Sequence, residues 1–246
     1  MGYHESLTEG RNAVLEAFRS GKTVDRLFVL DGCQDGPVKT ILREAKKQDT
    51  MVQYVKKERL DQLSETKNHQ GVIAYCAACE YAEVSDILEN AKKKGEAPFI
   101  VLLDGIEDPH NLGAIIRTAN QAGAHGVIIP KRRAVGLTAT VARTSAGAVN
   151  YTPVAKVTNL VTVMEDLKKE GIWFVCADMD GEEMYSLNLK GPIGLVIGNE
   201  GEGVSRLVKE HCDMVASIPM KGDIDSLNAS VAMGVLAYEI VRQRRF

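Results

Sequence analysis

The sequence predicts an α/β protein with two domains, and the C-terminal domain is built on a parallel sheet. From Phe99 onward, continuous apolar runs of strand length alternate with amphipathic helical segments. Such runs are typical of parallel strands that are buried on both faces. The segment 81–97 is a charged helical stretch that ends before Pro98, so it predicts a linker between residues 1–80 and residues 98–246.

The N-terminal domain, residues 1–80, is predicted to be a small α/β sandwich. Its predicted elements are, in order, the helix 9–18, the strand 26–30, the helix 38–47, the strand 51–55, the helix 58–63 and the strand 72–75. A basic cluster lies at Lys56-Lys57-Glu-Arg59 and is followed by Lys67-Asn-His69-Gln70. From the residues alone, this cluster is either a solvated helix face with a turn or a binding patch.

The C-terminal domain shows a clear alternation of predicted strands and helices. Its predicted elements are the strand 99–103, the helix 111–122, the strand 126–129, the helix 161–169, and the strands 173–177 and 195–197. A last strand ends at Pro219, and either Ser226 or Asn228 caps the final helix. In a sheet of this kind ligands bind beyond the carboxyl ends of the strands, so we expect the functional site there.

Composition excludes several classes of protein. No apolar run is long enough to span a membrane, and Met1–Glu5 do not begin a signal peptide. Five cysteines without an export signal favour reduced thiols in the cytoplasm, and Cys76-Ala-Ala-Cys79 lacks the second pair of ligands that a zinc site needs. The net charge of −3 gives no overall attraction to nucleic acid, so any such binding must use local patches.

Three polar or glycine-rich stretches follow strands of the C-terminal domain. They read Asp108-Pro-His-Asn-Leu-Gly-Ala-Ile-Ile-Arg117, Ile197-Gly-Asn-Glu-Gly-Glu-Gly203, and Ile218-Pro-Met220 followed by Asp225-Ser-Leu-Asn-Ala-Ser230. Glycines at a strand end let a ligand approach the backbone, where a Cβ would hold it away. In the first stretch Gly113 and Arg117 lie on one face of a helix, which suits either a phosphate or a packed protein backbone.

These three motifs, in this order, resemble those of the SpoU/TrmH family of RNA ribose 2′-O-methyltransferases, which use S-adenosylmethionine (AdoMet) and belong to the knotted SPOUT class. The resemblance covers the chain from Phe99 onward. In addition, Glu9-Gly-Arg-Asn-Ala-Val14 and Asn68-His-Gln-Gly-Val72 resemble two signatures of the substrate-binding domain, similar to a ribosomal protein, that many members carry. The resemblance implies a deep trefoil knot, a cytoplasmic homodimer and an RNA substrate, in particular a guanosine of 23S rRNA.

The resemblance also implies roles for individual residues. The implied catalytic residues are Asn111, Arg117, Glu200, Ser226 and Asn228. The implied cofactor-binding residues are Gly198, Gly201, Ile218, Met220 and Leu227, and no metal is required. The implied RNA-binding residues of the N-terminal domain are Arg11, Asn12, Lys56, Lys57, Arg59, His69 and Gln70.

In the family the arginine of the first motif reaches the active site of the partner subunit. Because arginine keeps its proton in proteins, we expect Arg117 to stabilise the developing alkoxide and to grip a phosphate. The 2′-hydroxyl proton is then left to a phosphate oxygen or to water. The final helix offers an apolar face for the two-fold interface, formed by Val231, Val235, Leu236 and residues 238–240.

Other functions fit the sequence less well. The glycine spacing between Gly198 and Gly203 does not match the dinucleotide-binding pattern of an oxidoreductase. A non-catalytic RNA-binding protein would not require the full set of motif residues. A tRNA target and rRNA methylation of the thiostrepton-resistance type both remain open, because specificity for a nucleotide depends on the folded shape of the RNA.

Overall fold

The computed structural model describes residues 6–223 and 226–246, which form two compact units. The first unit contains the residues up to Glu80 together with Gly136–Ala139, and the second contains Tyr81–Val135 and Thr140–Phe246. Met1–Glu5 and Asp225, which belong to the sequence features named above, lie outside the described residues.

The first unit is a four-stranded sheet with helices on both faces. Its elements are β1 (Ser6–Glu9), α1 (Arg11–Arg19), β2 (Val24–Leu30), α2 (Gly36–Lys47), β3 (Met51–Val55), α3 (Lys57–Leu63) and β4 (Val72–Cys76). The strand order is β1-β4-β2-β3, in which only β2 and β3 run parallel. Because side chains alternate along a strand, Leu27 packs against Phe18 of α1 and Ile41 of α2, whereas Phe28 packs against Leu60 of α3.

The second unit is built on a six-stranded sheet in which every strand pair is parallel. Its strands are β5 (Phe99–Asp104), β6 (Gly126–Pro130), β7 (Val154–Val157), β8 (Trp173–Glu183), β9 (Ile193–Gly198) and β10 (Met214–Ser217). Its helices are α4 (Val84–Lys94), α5 (Pro109–Gln121), α6 (Ala139–Thr144), α7 (Leu160–Lys169), α8 (Arg206–Glu210) and α9 (Ala229–Arg245). The strand order is β10-β8-β9-β5-β6-β7, so β5 and β9 lie side by side at the centre.

Helices cover both faces of this sheet. Ile100 and Leu102 of β5 share one buried cluster with Ile87 of α4 and Met164 of α7. On the other face α9 packs against β9 and against α5. The continuous apolar strands predicted from the sequence are therefore buried on both faces, as parallel strands are in α/β proteins.

The segment predicted as a linker, 81–97, is largely a packed helix. Ile87 and Ala91 of α4 are buried, and the Ile87 side chain occupies the space where a Cβ on Gly126 of β6 would lie. The segment has helical bounds because Glu83 and Asp86 form a capping box and Gly95 ends the helix in a left-handed conformation. Because its apolar residues pack into the core of the second unit, the helix belongs to that unit.

Most predicted elements occur with their ends shifted by one or two residues, and a few predictions are corrected. Glu9 belongs to β1 rather than to the first helix, because Gly10 turns the chain with a φ of 87° before α1 begins. Strand β8 continues to Glu183, well past the predicted end, because its polar second half pairs with β10 after an irregularity in register. The short elements β1, β7, α6 and α8 were not predicted.

Candidate active site

The candidate site begins where β5 and β9 end next to each other. Asp104 and Gly198 are paired in register as the last residues of the two strands. The loops that follow stay together, because the Asp104 carboxylate accepts a hydrogen bond of 2.8 Å from the backbone N–H of Ser205. The first and second motifs therefore meet at the carboxyl edge of the sheet, where the sequence analysis expected the site.

The loop of the second motif is held by Asn199. Its side-chain Oδ1 accepts hydrogen bonds from the backbone N–H groups of Gly201 and Glu202, at 3.0 and 2.6 Å. Its backbone exchanges two hydrogen bonds with Gly203. A Cβ on Gly198 would overlap the carbonyl of Gly203, so this glycine is needed for closure of the loop on itself. Gly198, which the sequence predicts to keep a Cβ away from a ligand, is therefore also required by the fold of its own loop.

Three of the predicted catalytic residues, one from each motif, meet in a hydrogen-bonded junction. Asn111 Nδ2 donates to Glu200 Oε1 at 3.0 Å, and Asn228 Nδ2 donates both to Asn111 Oδ1 at 3.0 Å and to Glu200 Oε1. The backbone N–H of Ala229, the first residue of α9, also points at Glu200 Oε1, at 3.4 Å. The described residues give Glu200 Oε2 no partner.

Asn228, and not Ser226, caps the final helix. Asn228 Oδ1 accepts hydrogen bonds from the backbone N–H groups of Ser230 and Val231 and from the Ser230 hydroxyl. The Asn228 side chain therefore caps α9 through its oxygen and hydrogen-bonds Asn111 and Glu200 of the first two motifs through its nitrogen. Ser226 is exposed and makes no hydrogen bond to another described residue.

Arg117 lies apart from this junction, further along α5. Its side chain is exposed and has no hydrogen bond or ion pair with any residue that the structure describes. Gly113, one turn before it, packs closely against α6: a Cβ there would come within 2.6 Å of the Thr144 side chain and 3.0 Å of the Val141 carbonyl. Of the two interpretations of Gly113, the packed protein backbone is the one observed.

Next to the junction is a cavity of about 570 Å³ that the sequence analysis did not anticipate in this form. It lies between the loops that follow β5, β6 and β9, and most of its charged lining is acidic. Arg133, from the loop after β6, is a basic residue of this lining that sequence reasoning missed. The signal was available, because Lys131-Arg132-Arg133 directly follows a predicted strand.

The predicted cofactor residues lie on the loops that lead from β9 and β10. Met220 is 39% exposed, Gly201 is exposed, and Ile218 and Leu227 are half-buried. The backbone N–H groups of Met220 and Leu227 donate no hydrogen bond to another described residue. Backbone donors without a partner among the described residues, together with accessible apolar side chains, suit a ligand that has both polar and apolar parts.

In the first unit, two of the predicted RNA-binding residues serve the fold. The Arg11 guanidinium forms an ion pair with Asp35 at 2.6 Å and donates from Nε to the carbonyl of Gln70 at 3.0 Å. The Gln70 side chain in turn accepts a hydrogen bond from the backbone N–H of Arg11. Arg11 and Gln70 thereby fasten the start of α1 to the turn before β4.

His69, also predicted to bind RNA, is buried within the first unit. It is 7% exposed, its Nδ1 accepts from the backbone N–H of Gly71, and its Nε2 lies 3.0 Å from the Asp61 carboxylate. Both ring nitrogens are therefore engaged inside the unit. The other predicted RNA-binding residues are exposed; these are Asn12, Lys56, Lys57 and Arg59.

The described residues contain neither a membrane-spanning helix nor a metal-binding cluster. No helix there is long and apolar enough to cross a membrane. No group of three histidine, cysteine, aspartate or glutamate side chains there is arranged to hold a metal ion.

Comparison with known proteins assigns a family to both units. A model of the SpoU rRNA methylase family matches residues 98–238, and a model described as RNA 2′-O ribose methyltransferase substrate binding matches residues 7–82. YacO of Bacillus subtilis, named for the TrmH family of tRNA/rRNA methyltransferases, is 49% identical over 96% of this chain and 94% of its own length.

Two solved structures are similar over nearly the whole chain. The SpoU methyltransferase AviRb from Streptomyces viridochromogenes in complex with AdoMet has a TM-score of 0.62 and 28% identity, and the match covers 98% of this chain and 91% of that one. The AdoMet-bound rRNA methyltransferase from Sinorhizobium meliloti has a TM-score of 0.61 and 25% identity, and the match covers 97% and 87% of the two chains.

A parallel α/β unit that joins three such motifs, preceded by a substrate-binding unit, defines the class of RNA methyltransferases. The chain belongs to the SpoU/TrmH family. The family and the α/β fold with its N-terminal substrate-binding domain, both predicted from the sequence, are confirmed.

Proposed function

We propose that this RNA methyltransferase transfers a methyl group from AdoMet to a ribose 2′-hydroxyl of structured RNA, with a guanosine of 23S rRNA as its target. The observation that carries the proposal is the junction of Asn111, Glu200 and Asn228. It joins polar side chains from three separate motifs beside an open cavity. A binding protein would gain little from such an arrangement, whereas a reaction needs groups held in fixed positions.

AdoMet fits the residues around the loops after β9 and β10. The backbone N–H groups of Met220 and Leu227 are available to hydrogen-bond an adenine, and the side chains of Ile218 and Met220 supply apolar surface. Gly201 leaves the neighbouring loop without a side chain. Two similar structures were solved with AdoMet, which supports the same cofactor here. When bound, AdoMet supplies a methyl group already activated by its sulfonium.

The residues of the chain then have to place the hydroxyl and stabilise its charge. Glu200 Oε1 is occupied by the junction, which leaves Oε2 to accept a hydrogen bond from the substrate nucleotide. Arg117 is exposed and unpaired among the described residues, so its guanidinium is free to stabilise an alkoxide and grip a phosphate. Ser226, also exposed, completes the proposed catalytic set. The proton leaves to a phosphate oxygen or to water.

We further propose that two chains form a homodimer through α5 and α9. Val231 and Tyr238 are seven residues apart on α9 and are 49% and 51% exposed. Leu236, Glu239 and Ile240 of the predicted interface are buried within their own chain, so the proposed interface does not include them. A dimer that covers the exposed pair would bring Arg117 of one chain towards the site of the other.

Residues 1–80 are proposed to bind the RNA, through the exposed side chains of Asn12, Lys56, Lys57 and Arg59. We assign the catalytic role to residues 98–246 and treat 81–97 as the segment that connects the two domains. The trefoil knot of the SPOUT class stays a prediction, and the cytoplasm is the proposed location.

The decisive experiment maps ribose methylation in cells that lack the protein. We expect one guanosine of 23S rRNA to lose its 2′-O-methyl group, and purified protein with AdoMet should restore it on the undermethylated RNA. A Glu200→Ala variant serves as the inactive control. Loss of a methyl group from tRNA, or from another class of rRNA nucleotide, would replace the proposed target. Unchanged methylation in vivo and no transfer in vitro would overturn the proposal.

A further inference from the structure

The cavity beside the junction presents a problem for an RNA substrate. Its lining contains five carboxylates, which are Asp104, Glu107, Asp108, Glu200 and Glu202. An acidic cavity repels a polyanion. RNA therefore needs a compensating cation at this place.

Most of the negative charge is already engaged by local hydrogen bonds. Asp104 accepts from the backbone N–H of Ser205, and Asp108 accepts from the first N–H groups of α5. Glu200 is the acceptor of the junction. Glu107 and Glu202 are exposed, and neither is paired with another described residue.

Arg133 is the cationic side chain in the described lining of this cavity. Its loop is fastened at both ends, because the backbone N–H of Lys131 donates to the Val157 carbonyl at 2.8 Å and that of Val135 donates to the Ile106 carbonyl at 3.0 Å. Arg133 itself has a φ of 52°, in the left-handed region that residues with a Cβ rarely adopt. The guanidinium is exposed and makes no hydrogen bond or ion pair with another described residue.

We propose that Arg133 binds a backbone phosphate next to the nucleotide that is methylated, and so acts as a positioning residue. The inference rests on the proposed function and names a contact of the same site. In RNA the 2′-hydroxyl and the 3′-phosphate are attached to adjacent ribose carbons. When the 2′-hydroxyl of the target ribose lies at the junction, the 3′-phosphate of the same ribose therefore lies within the same cavity. There the positive guanidinium of Arg133 can bind it.

The test compares Arg133→Gln with Arg132→Gln, which removes the same charge from the neighbouring exposed residue that does not line the cavity. Binding of radiolabelled 23S rRNA transcript is measured over a range of salt concentrations, and methyl transfer is measured in parallel. We expect Arg133→Gln to weaken RNA binding and raise KM about tenfold, with kcat changed less than about twofold. The slope of log Kd against log salt should fall by about 0.7 to 0.9, as for one lost phosphate contact.

Arg133→Lys should recover most of the salt slope, because it restores the charge, while Arg132→Gln should leave binding and slope unchanged. Equal behaviour of Arg133→Gln and wild type would overturn the proposal, and so would a loss of AdoMet affinity without a loss of RNA affinity. If wild type binds the transcript in an Arg133-dependent manner but transfers no methyl group, the proposed function fails and the phosphate contact stands. If wild type neither binds nor methylates RNA, both are overturned.

Discussion

The charge on Arg117 and its planar shape are both needed if it stabilises an alkoxide while gripping a phosphate. Arg117→Lys keeps the charge but loses the fork of donors. Because the side chain has no partner among the described residues, the substitution should leave stability and AdoMet binding unchanged. We expect methyl transfer to fall about a hundredfold, or about 3 kcal/mol, as for loss of one preorganised donor.

Single-turnover kinetics with labelled AdoMet measure this effect. Arg132→Lys, a second exposed arginine of the same unit, is the matched control and should transfer methyl groups at the wild-type rate. Turnover by Arg117→Lys within a few-fold of wild type would exclude a bidentate role for the guanidinium.

Glu9, a residue of a family signature, stabilises the fold of the first unit. Its carboxylate accepts hydrogen bonds from Ser64, from the backbone N–H of Glu65, and from both the backbone and hydroxyl of Thr66. Burial raises the pKa of Glu9, but these hydrogen bonds outweigh that effect, so the pKa lies below its usual range. The stabilisation is therefore present above the unfolded pKa of about 4.3 and is lost as pH falls through the folded value.

We expect wild type to lose stability more steeply than Glu9→Gln as pH falls below about 4.3. Urea unfolding at a series of pH values measures the difference. Glu16→Gln, which changes an exposed carboxylate on α1, should retain the wild-type pH dependence. Parallel curves for wild type and Glu9→Gln would show that the native hydrogen bonds do not favour the ionised form.

At the scale of elements, the loop 199–203 depends on the lack of a side chain at Gly198. Gly198→Ala would force its Cβ into the Gly203 carbonyl, which accepts a hydrogen bond from Asn199. We expect a loss of about 1–3 kcal/mol in the free energy of unfolding, typical of overpacking, together with weaker AdoMet binding.

Gly201→Ala is the matched control, since among the described residues a Cβ there would come within 4 Å of Asn199 Oδ1 alone, at an ordinary 3.8 Å. It should unfold at the wild-type urea concentration. If Gly198→Ala were as stable as Gly201→Ala, the loop would not be packed against Gly198 as described.

The pattern of apolar residues predicted the long helices and strands well, because burial against the sheet imposes that pattern on them. The strands β5, β6 and β9 are apolar throughout, and α5 and α7 carry an apolar stripe, so each was predicted near its observed bounds. The strands β1 and β7 have only four residues, too few to show a period. The resemblance grouped Asn111, Glu200 and Asn228, but their hydrogen bonds are a tertiary feature. The run Lys131-Arg132-Arg133 indicated a basic loop after β6, but which of its residues lines the cavity depends on loops that are distant in sequence.

At the scale of the whole molecule, four of the five proposed catalytic residues fall into two groups. Asn111, Glu200 and Asn228 meet within one chain, whereas Arg117 points into solvent, and α9 exposes Val231 and Tyr238. An arginine separated from its own junction, on a helix that packs against the helix exposing Val231 and Tyr238, is what a site shared between two subunits would leave on one isolated chain. The arrangement predicts that two differently impaired chains will complement each other.

The test mixes an Arg117→Ala chain with a Glu200→Ala chain. In a mixed dimer one site combines an intact Arg117 with an intact Glu200, and the other site lacks both. At equal mixing about half of the dimers are mixed, so activity should approach about a quarter of wild type, while each variant alone stays near zero. Subunit exchange is verified first with differently tagged chains. Mixed dimers as inactive as either parent would show that Arg117 serves its own chain.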